Sequence, residues 1–125
     1  MDDIMLKPVE WVGSSRKDLS RFPDPVKYHM GHAIYHAQAG LKHSDAKPLR
    51  GFGSGVLEVV SSHDGDTFRA VYTVRLQTAV YVLHAFQKKA KRGIATPKAE
   101  LDLIRQRLRA AERLDRNALE RGKDQ

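Results

Sequence analysis

Basic residues gather at three places along the middle of this 125-residue chain. Lys47 and Arg50 come first, then Arg69 with Arg75, then Lys88 and Lys89 running into Lys91 and Arg92. Clustered arginine and lysine attract phosphate, and RNA is a phosphate polymer that carries its own nucleophile, the 2′-OH. A protein that cuts RNA need only align that hydroxyl with the adjacent phosphorus, accept its proton and stabilise charge on the phosphate oxygens and the leaving 5′-oxygen. Cations supply the charge. Proton transfer is harder, because free lysine titrates near about 10.4 and must be shifted down by neighbouring cations to act as a base.

Six histidines raise a second chemistry. On a helix, His29, His32 and His36 fall within about 60° of one another. No carboxylate at suitable spacing completes a metal set, and the three flank an apolar stripe, so they read as packing residues at an interface. His84 reads as a strand residue with Val82 and Phe86 on its own face. It is either a buried, satisfied histidine or a general acid beside the basic cluster. No metal and no cofactor is expected.

Composition sets the limits. The chain has the length of one domain, and 41% hydrophobic residues suffice for one core. A single domain over 1–121 and a frayed tail over 122–125 are expected. Twenty-two Lys+Arg against 15 Asp+Glu give a formal charge of +7, which favours a polyanionic partner. Zero cysteines exclude disulfides, thiolate metal sites and cysteine nucleophiles. No run approaches the roughly 18 apolar residues of a membrane helix. The first residues, Met1-Asp2-Asp3-Ile4, are acidic where a secretory signal is basic, so a cytoplasmic protein without membrane contact is expected.

The elements that must position these groups follow from periodicity. Lys7 to Val12 reads as a short strand ended by Gly13. Ser14 or Ser15 is a candidate N-cap for a helix over Arg16 to Arg21, and Pro23-Asp24-Pro25 separates it from a second helix that starts at Val26. There Val26, Met30, Ala33, Ile34, Ala37 and Leu41 form one stripe about 100° wide. From Gly51 the period becomes two, in runs over Val56 to Ser61, Phe68 to Leu76 and Ala79 to Phe86. The turn His63-Asp64-Gly65-Asp66 and the reversal Leu76-Gln77-Thr78 make them an antiparallel meander. Parity sets Phe68, Ala70, Tyr72 and Val74 on one face and Arg69, Val71, Thr73 and Arg75 on the other. One face is then built for helices and the other carries charge. Thr96-Pro97 opens a long last helix to about Arg121, with the stripe Leu101, Ile104, Leu108 and Ala111 left to pack on its own sheet or on a partner.

Four ordered segments carry a family resemblance: Lys47-Pro-Leu-Arg-Gly51, Gly55-Val-Leu-Glu-Val59, Phe68-Arg-Ala-Val-Tyr72, and Val82-Leu-His-Ala-Phe-Gln-Lys-Lys89 followed by Thr96-Pro97. In this order they resemble the RelE/ParE toxin superfamily, most closely its HigB-like branch, often described as phage-derived. The resemblance implies an α+β fold, a RelE-like β-α-α-β-β-β-α microdomain whose antiparallel sheet packs on a helical hairpin with a C-terminal helix. It further implies a toxin of a type II toxin–antitoxin system, a metal-independent endoribonuclease that cuts mRNA on the ribosome and is neutralised by a helix-turn-helix antitoxin.

Carried over by position, the resemblance gives phosphate contacts to Lys47 and Arg50, transition-state charge to Arg69, and backbone or leaving-group contacts to Lys88 and Lys89. Glu58 either orients Arg69 or accepts the proton, and His84 joins the catalytic candidates. Arg75, Lys91 and Arg92 complete the RNA-binding set. Val60 stands where the branch commonly has arginine, and the tyrosine near the C-terminus of some relatives has no counterpart. The alternative is a non-catalytic binder, either a ParE-like gyrase inhibitor or a degenerate toxin whose sole partner is its antitoxin; a plain RNA- or ribosome-binding domain is a third reading.

Overall fold

Alternating strands cannot bury both their faces unless something covers each, and here helices cover both. The computed structural model describes residues 5–88 and 96–123. Its elements run β1 (Val9–Trp11), α1 (Ser15–Ser20), α2 (Asp24–Gln38), β2 (Ala46–Pro48), β3 (Val56–His63), β4 (Asp66–Thr73), β5 (Val80–Lys88) and α3 (Lys98–Lys123). The strands form one sheet in the order β1-β5-β4-β3-β2. No helix among the described residues is long and apolar enough to cross a membrane.

The β3–β4 hairpin is the firmest local decision. Asp64 and Gly65 both take positive φ, 49° and 84°, the pattern of a two-residue type I′ turn, and the register closes at His63 with Asp66. β5 returns antiparallel to β4, and β1 adds to the far side of β5 in parallel, Val9 opposite Val80. The sheet is therefore mixed rather than antiparallel throughout. A further strand, β2, pairs antiparallel with β3, so Lys47 and Pro48 lie in the sheet rather than in a loop ahead of it. Pro48 is tolerated because β2 is an edge, where a missing N–H costs no ladder bond.

One sheet face packs on the helical hairpin. Val26, Met30, Ala33, Ile34 and Ala37 of α2 meet Leu57, Val59, Phe68, Ala70 and Tyr72, with Leu19 of α1 in the same core. Fully burying a side chain such as Met30 stabilises by about 1.5–3 kcal/mol. α2 begins two residues earlier than its apolar stripe implied, at Asp24, because Pro25 is pre-set for a first turn. It ends at Gln38, before Gly40 at φ 79°, which leaves Leu41 outside the helix and exposed.

The other face corrects the expectation that only one face of the sheet is built for helices. Ile104, Leu108 and Ala111 of α3 pack on Val71, Ala79, Tyr81, Leu83 and Phe86, so the last helix docks on its own sheet, along β5. Helix α3 also continues through Gly122 to Lys123, two residues into the expected frayed tail. Its buried Asp115 accepts the backbone N–H groups of Gln77 (3.1 Å) and Thr78 (2.8 Å) and thereby pins the β4–β5 connection.

Between β4 and β5 the register slips. Val71 faces His84 but Tyr72 faces Val82, so Leu83 is an extra residue in β5. This bulge reverses the alternation: Val80 and Val82 face the hairpin before it, and Ala85 does so after it. His84 consequently shares the α3 face with Phe86, while Val82 lies on the opposite face, contrary to simple alternation.

Candidate functional site

Where α3 does not reach, the face it occupies carries the polar groups the sequence singles out. The registers arrange them in rows across the strands. One row is Lys47, Glu58, Val71 and His84; the next is Val60, Arg69 and Phe86; Thr67 and Lys88 begin the last. Antiparallel partners share a face, so positions 41 residues apart in the chain, Lys47 and Lys88, border one strip.

At its centre Arg69 Nη1 lies 2.8 Å from Glu58 Oε2, a diagonal pair between β4 and β3 whose side chains are 17% and 15% exposed. Arg69 Nε is buried and has no hydrogen-bond partner among the described residues. Buried donors are normally satisfied, and leaving one unmet costs about 1–3 kcal/mol. Val60, directly opposite Arg69, is 39% exposed, so a wall of this strip is aliphatic. Lys47 and Arg50 are exposed.

The remaining candidates divide. Arg75 spends its donors inside the protein, on the carbonyls of Phe52 (2.8 Å) and Ser54 (3.3 Å) and on Glu112 (3.4 Å). It acts as a staple for the loop before β3, where Gly55 at φ 83° leaves no room for a Cβ, which would sit 2.6 Å from Arg75 Cβ. Lys89, Lys91 and Arg92 lie outside the described residues. Ser14 takes the N-cap position of α1, but its hydroxyl donates to the Asp18 carboxylate (2.7 Å) rather than accepting a helix N–H.

His84 is 5% exposed, stacks on Phe86 with ring centroids 4.7 Å apart, and has both ring nitrogens engaged. Nδ1 faces Arg107 Nη1 at 3.2 Å and Nε2 faces Glu100 Oε2 at 3.1 Å. Burial is the main cause that lowers its pKa below the usual 6.5; Glu100 opposes the shift and Arg107 adds to it. The same Arg107 donates to the Leu83 carbonyl at the bulge (3.0 Å) and to Ser14 Oγ (3.0 Å), so one guanidinium ties α3 to β5 and to the start of α1.

Sequence reasoning passed over Glu100, Arg105 and Arg107. Arg105 stacks over the Phe52 ring at 4.3 Å and donates to the Gly51 carbonyl (3.2 Å), beside exposed Arg50. All three sit among the many charged residues of α3, where nothing in periodicity separates a residue aimed at the sheet from one aimed at water.

The comparisons with known proteins bear on this architecture. No curated protein matches the chain. Among solved structures it is similar to the toxin–antitoxin complex RelBE2 from Mycobacterium tuberculosis, with 19% identity, a TM-score of 0.43, and coverage of 72% of this chain and 100% of that one. The family described as phage derived protein Gp49-like (DUF891) matches residues 17–109, a span that includes α2, every strand after β1, the Arg69–Glu58 pair and the Glu100–His84–Arg107 chain. With three quarters of its length so matched, the chain belongs to the Gp49-like family of phage-derived proteins.

Proposed function

We propose that this protein is the toxin of a toxin–antitoxin pair and acts as an endoribonuclease on ribosome-bound messenger RNA. The observation that carries the reading is the half-buried Arg69, oriented by Glu58 at 2.8 Å and holding an unmet Nε donor on the part of the sheet that α3 leaves uncovered. A phosphate oxygen that reaches the exposed part of the guanidinium forms a charge-assisted bond, which strengthens as negative charge builds in the transition state. Lys47, opposite Glu58, and Lys88, at the end of β5, would hold the flanking backbone.

In this reading the substrate 2′-oxygen attacks the adjacent phosphorus and the bond to the 5′-oxygen breaks. A 2′,3′-cyclic phosphate and a 5′-hydroxyl result. Glu58, beside the reacting phosphate, accepts the proton from the 2′-OH, and a lysine at the end of β5 protonates the leaving oxygen. His84 has no ring nitrogen to spare, so its part is positional: it supports Phe86, the cross-strand neighbour of Arg69. A helix-turn-helix antitoxin would silence the protein in the cytoplasm.

Inducible expression in a bacterial host tests this. Growth arrest with transcripts cut inside codons, both abolished by Arg69→Ala, is the expected result. Val60 favours a second reading, since the position opposite Arg69 is aliphatic where the resembling branch commonly has arginine. A gyrase inhibitor would give DNA damage with intact transcripts, and a degenerate toxin would leave growth unimpaired.

A further inference from the structure

On the opposite face of the sheet from Arg69, the loop after α2 folds back over the helix and meets its histidines. His29 Nε2 lies 2.8 Å from Asp45 Oδ2, and Nδ1 of the same ring lies 2.9 Å from Oγ of Ser61, a buried residue of β3. The His43 ring stands edge-on to His29, with centroids 5.7 Å apart. One ligand atom each from His29, His43 and Asp45 falls within 4.8 Å of the other two. The carboxylate that the helix lacks at any helical spacing is thus provided by the loop.

We propose that His29, His43 and Asp45 form a binding site for a borderline divalent transition-metal ion, with zinc as the probe. Two imidazoles and one carboxylate match zinc, while calcium and magnesium prefer oxygen-only shells. Ligand atoms around a tetrahedral zinc lie about 3.3 Å apart at metal–nitrogen distances near 2.0–2.1 Å. His29 and Asp45 are already that close, so His43 must do the closing, and it sits in a loop. Ser61 holds the His29 ring from behind, in the manner of the outer partners that orient metal-bound histidines.

His43 is also the ligand with something to give up. Its Nδ1 accepts the backbone N–H of Asp45 at 3.0 Å, and coordination through either ring nitrogen forfeits that bond. Bonding through Nδ1 uses the same lone pair, and bonding through Nε2 requires the proton on Nδ1. The Asp45 amide is therefore a direct reporter of occupancy. A rival place exists on the helix itself, where His32 and His36 stand four residues apart. The His36 Nδ1 donates to the His32 carbonyl at 2.8 Å, which leaves Nε2 free to ligate.

The test uses the full chain without an affinity tag, stripped with chelator and titrated with zinc against a chromophoric competitor. One equivalent should bind in the micromolar range or tighter, shift the Asp45 amide resonance and raise the melting temperature. Affinity should fall at least tenfold in both His43→Ala and Asp45→Asn and stay unchanged in His32→Ala. Both sensitive positions lie in a surface loop, and circular dichroism checks that the variants fold. No stoichiometric binding at micromolar zinc overturns the proposal. So does binding that survives Asp45→Asn, or that is lost with His32→Ala, because the ion would then sit on the helix pair or be adventitious. The site lies on the opposite face of the sheet from the Arg69 strip and shares no residue with it, so its fate and that of the proposed nuclease are read independently.

Discussion

Arg107 donates to Nδ1 of His84, and this one bond decides where the imidazole keeps its proton. A guanidinium has no acceptor, so Nδ1 must accept. The proton of the neutral ring is then on Nε2, where it is donated to Glu100. A carboxylate–imidazole–guanidinium chain results, with a buried neutral imidazole between two partly exposed neighbours.

That arrangement makes stability depend on pH with a definite sign. Burial, with Arg107 adding to it, places the folded pKa of His84 below its unfolded value of 6.5. The unfolded chain thus binds the proton more tightly. The His84 contribution is complete above about pH 6.5 and is lost as pH falls through that value toward the lower folded pKa. Melting temperatures measured between about pH 7 and pH 5 should decline in the native protein. The native-minus-variant difference for His84→Gln should shrink over the same interval; a constant difference would refute the assignment.

Asp115 gives a second pH dependence, at lower pH. Burial acts to raise its pKa, but hydrogen bonds from the Thr78 side chain and backbone, then from Gln77 and Tyr81, outweigh burial and hold it below 3.8. Its stabilisation is present at neutral pH and disappears as pH falls through about 4 and below. Every group facing this carboxylate is a donor, so Asp115→Asn turns an amide N–H toward another donor. It should cost about 1–3 kcal/mol in urea denaturation, and the acid-sensitive component should vanish with it.

Tyr72 is the opposite case. Its hydroxyl is buried with no hydrogen-bond partner among the described residues, and burial pushes its pKa up to about 12. Tyr72→Phe removes the unmet group and keeps the ring packed against the helical hairpin. The variant should be more stable by about 1 kcal/mol. Any measurable loss in chemical denaturation would mean that the hydroxyl is paired in solution.

Val60 allows the proposed nuclease to be tested by gain rather than by loss. It lies opposite Arg69 on an exposed part of the strip, so Val60→Arg places a second guanidinium across the strand pair without disturbing the core. If phosphate charge builds there, transcript cleavage should rise by about tenfold or more, given what single preorganised donors contribute. Unchanged or weaker cleavage would show that Arg69 works without a partner at that position.

How much of this could be read from residues alone depends on what leaves a periodic mark. Val56, Phe68 and Ala79 open runs of alternation, and Asp64-Gly65 carries its own turn chemistry, so the meander is legible. The stripe Ile104, Leu108 and Ala111 likewise announces a packed helix. Leu83 announces nothing, because a bulge adds a residue without changing composition, and so simple alternation gives His84 the wrong same-face neighbour in Val82. Asp115 and Arg107 look like any charged residue of α3 until the β4–β5 turn and the bulge are set beside them. At the site, the Glu58–Arg69 pair is legible only through the family resemblance, which offers Glu58 either as the residue that orients Arg69 or as the proton acceptor. The staple role of Arg75 is not, since it depends on a loop folding back onto that side chain.

The bulge also says what β5 must hold constant. On its far side lie Phe86 and Lys88, on its near side Val80 and Val82, and the two groups are in phase with their own faces only because the residue count between them is off by one. Forcing β5 into strict alternation with all its residues kept would send Phe86 and Lys88 through the sheet to the hairpin side, whereas losing Leu83 together with the bulge would leave both on the α3 face. For this strand the odd letter is what lets residues of one parity serve both faces.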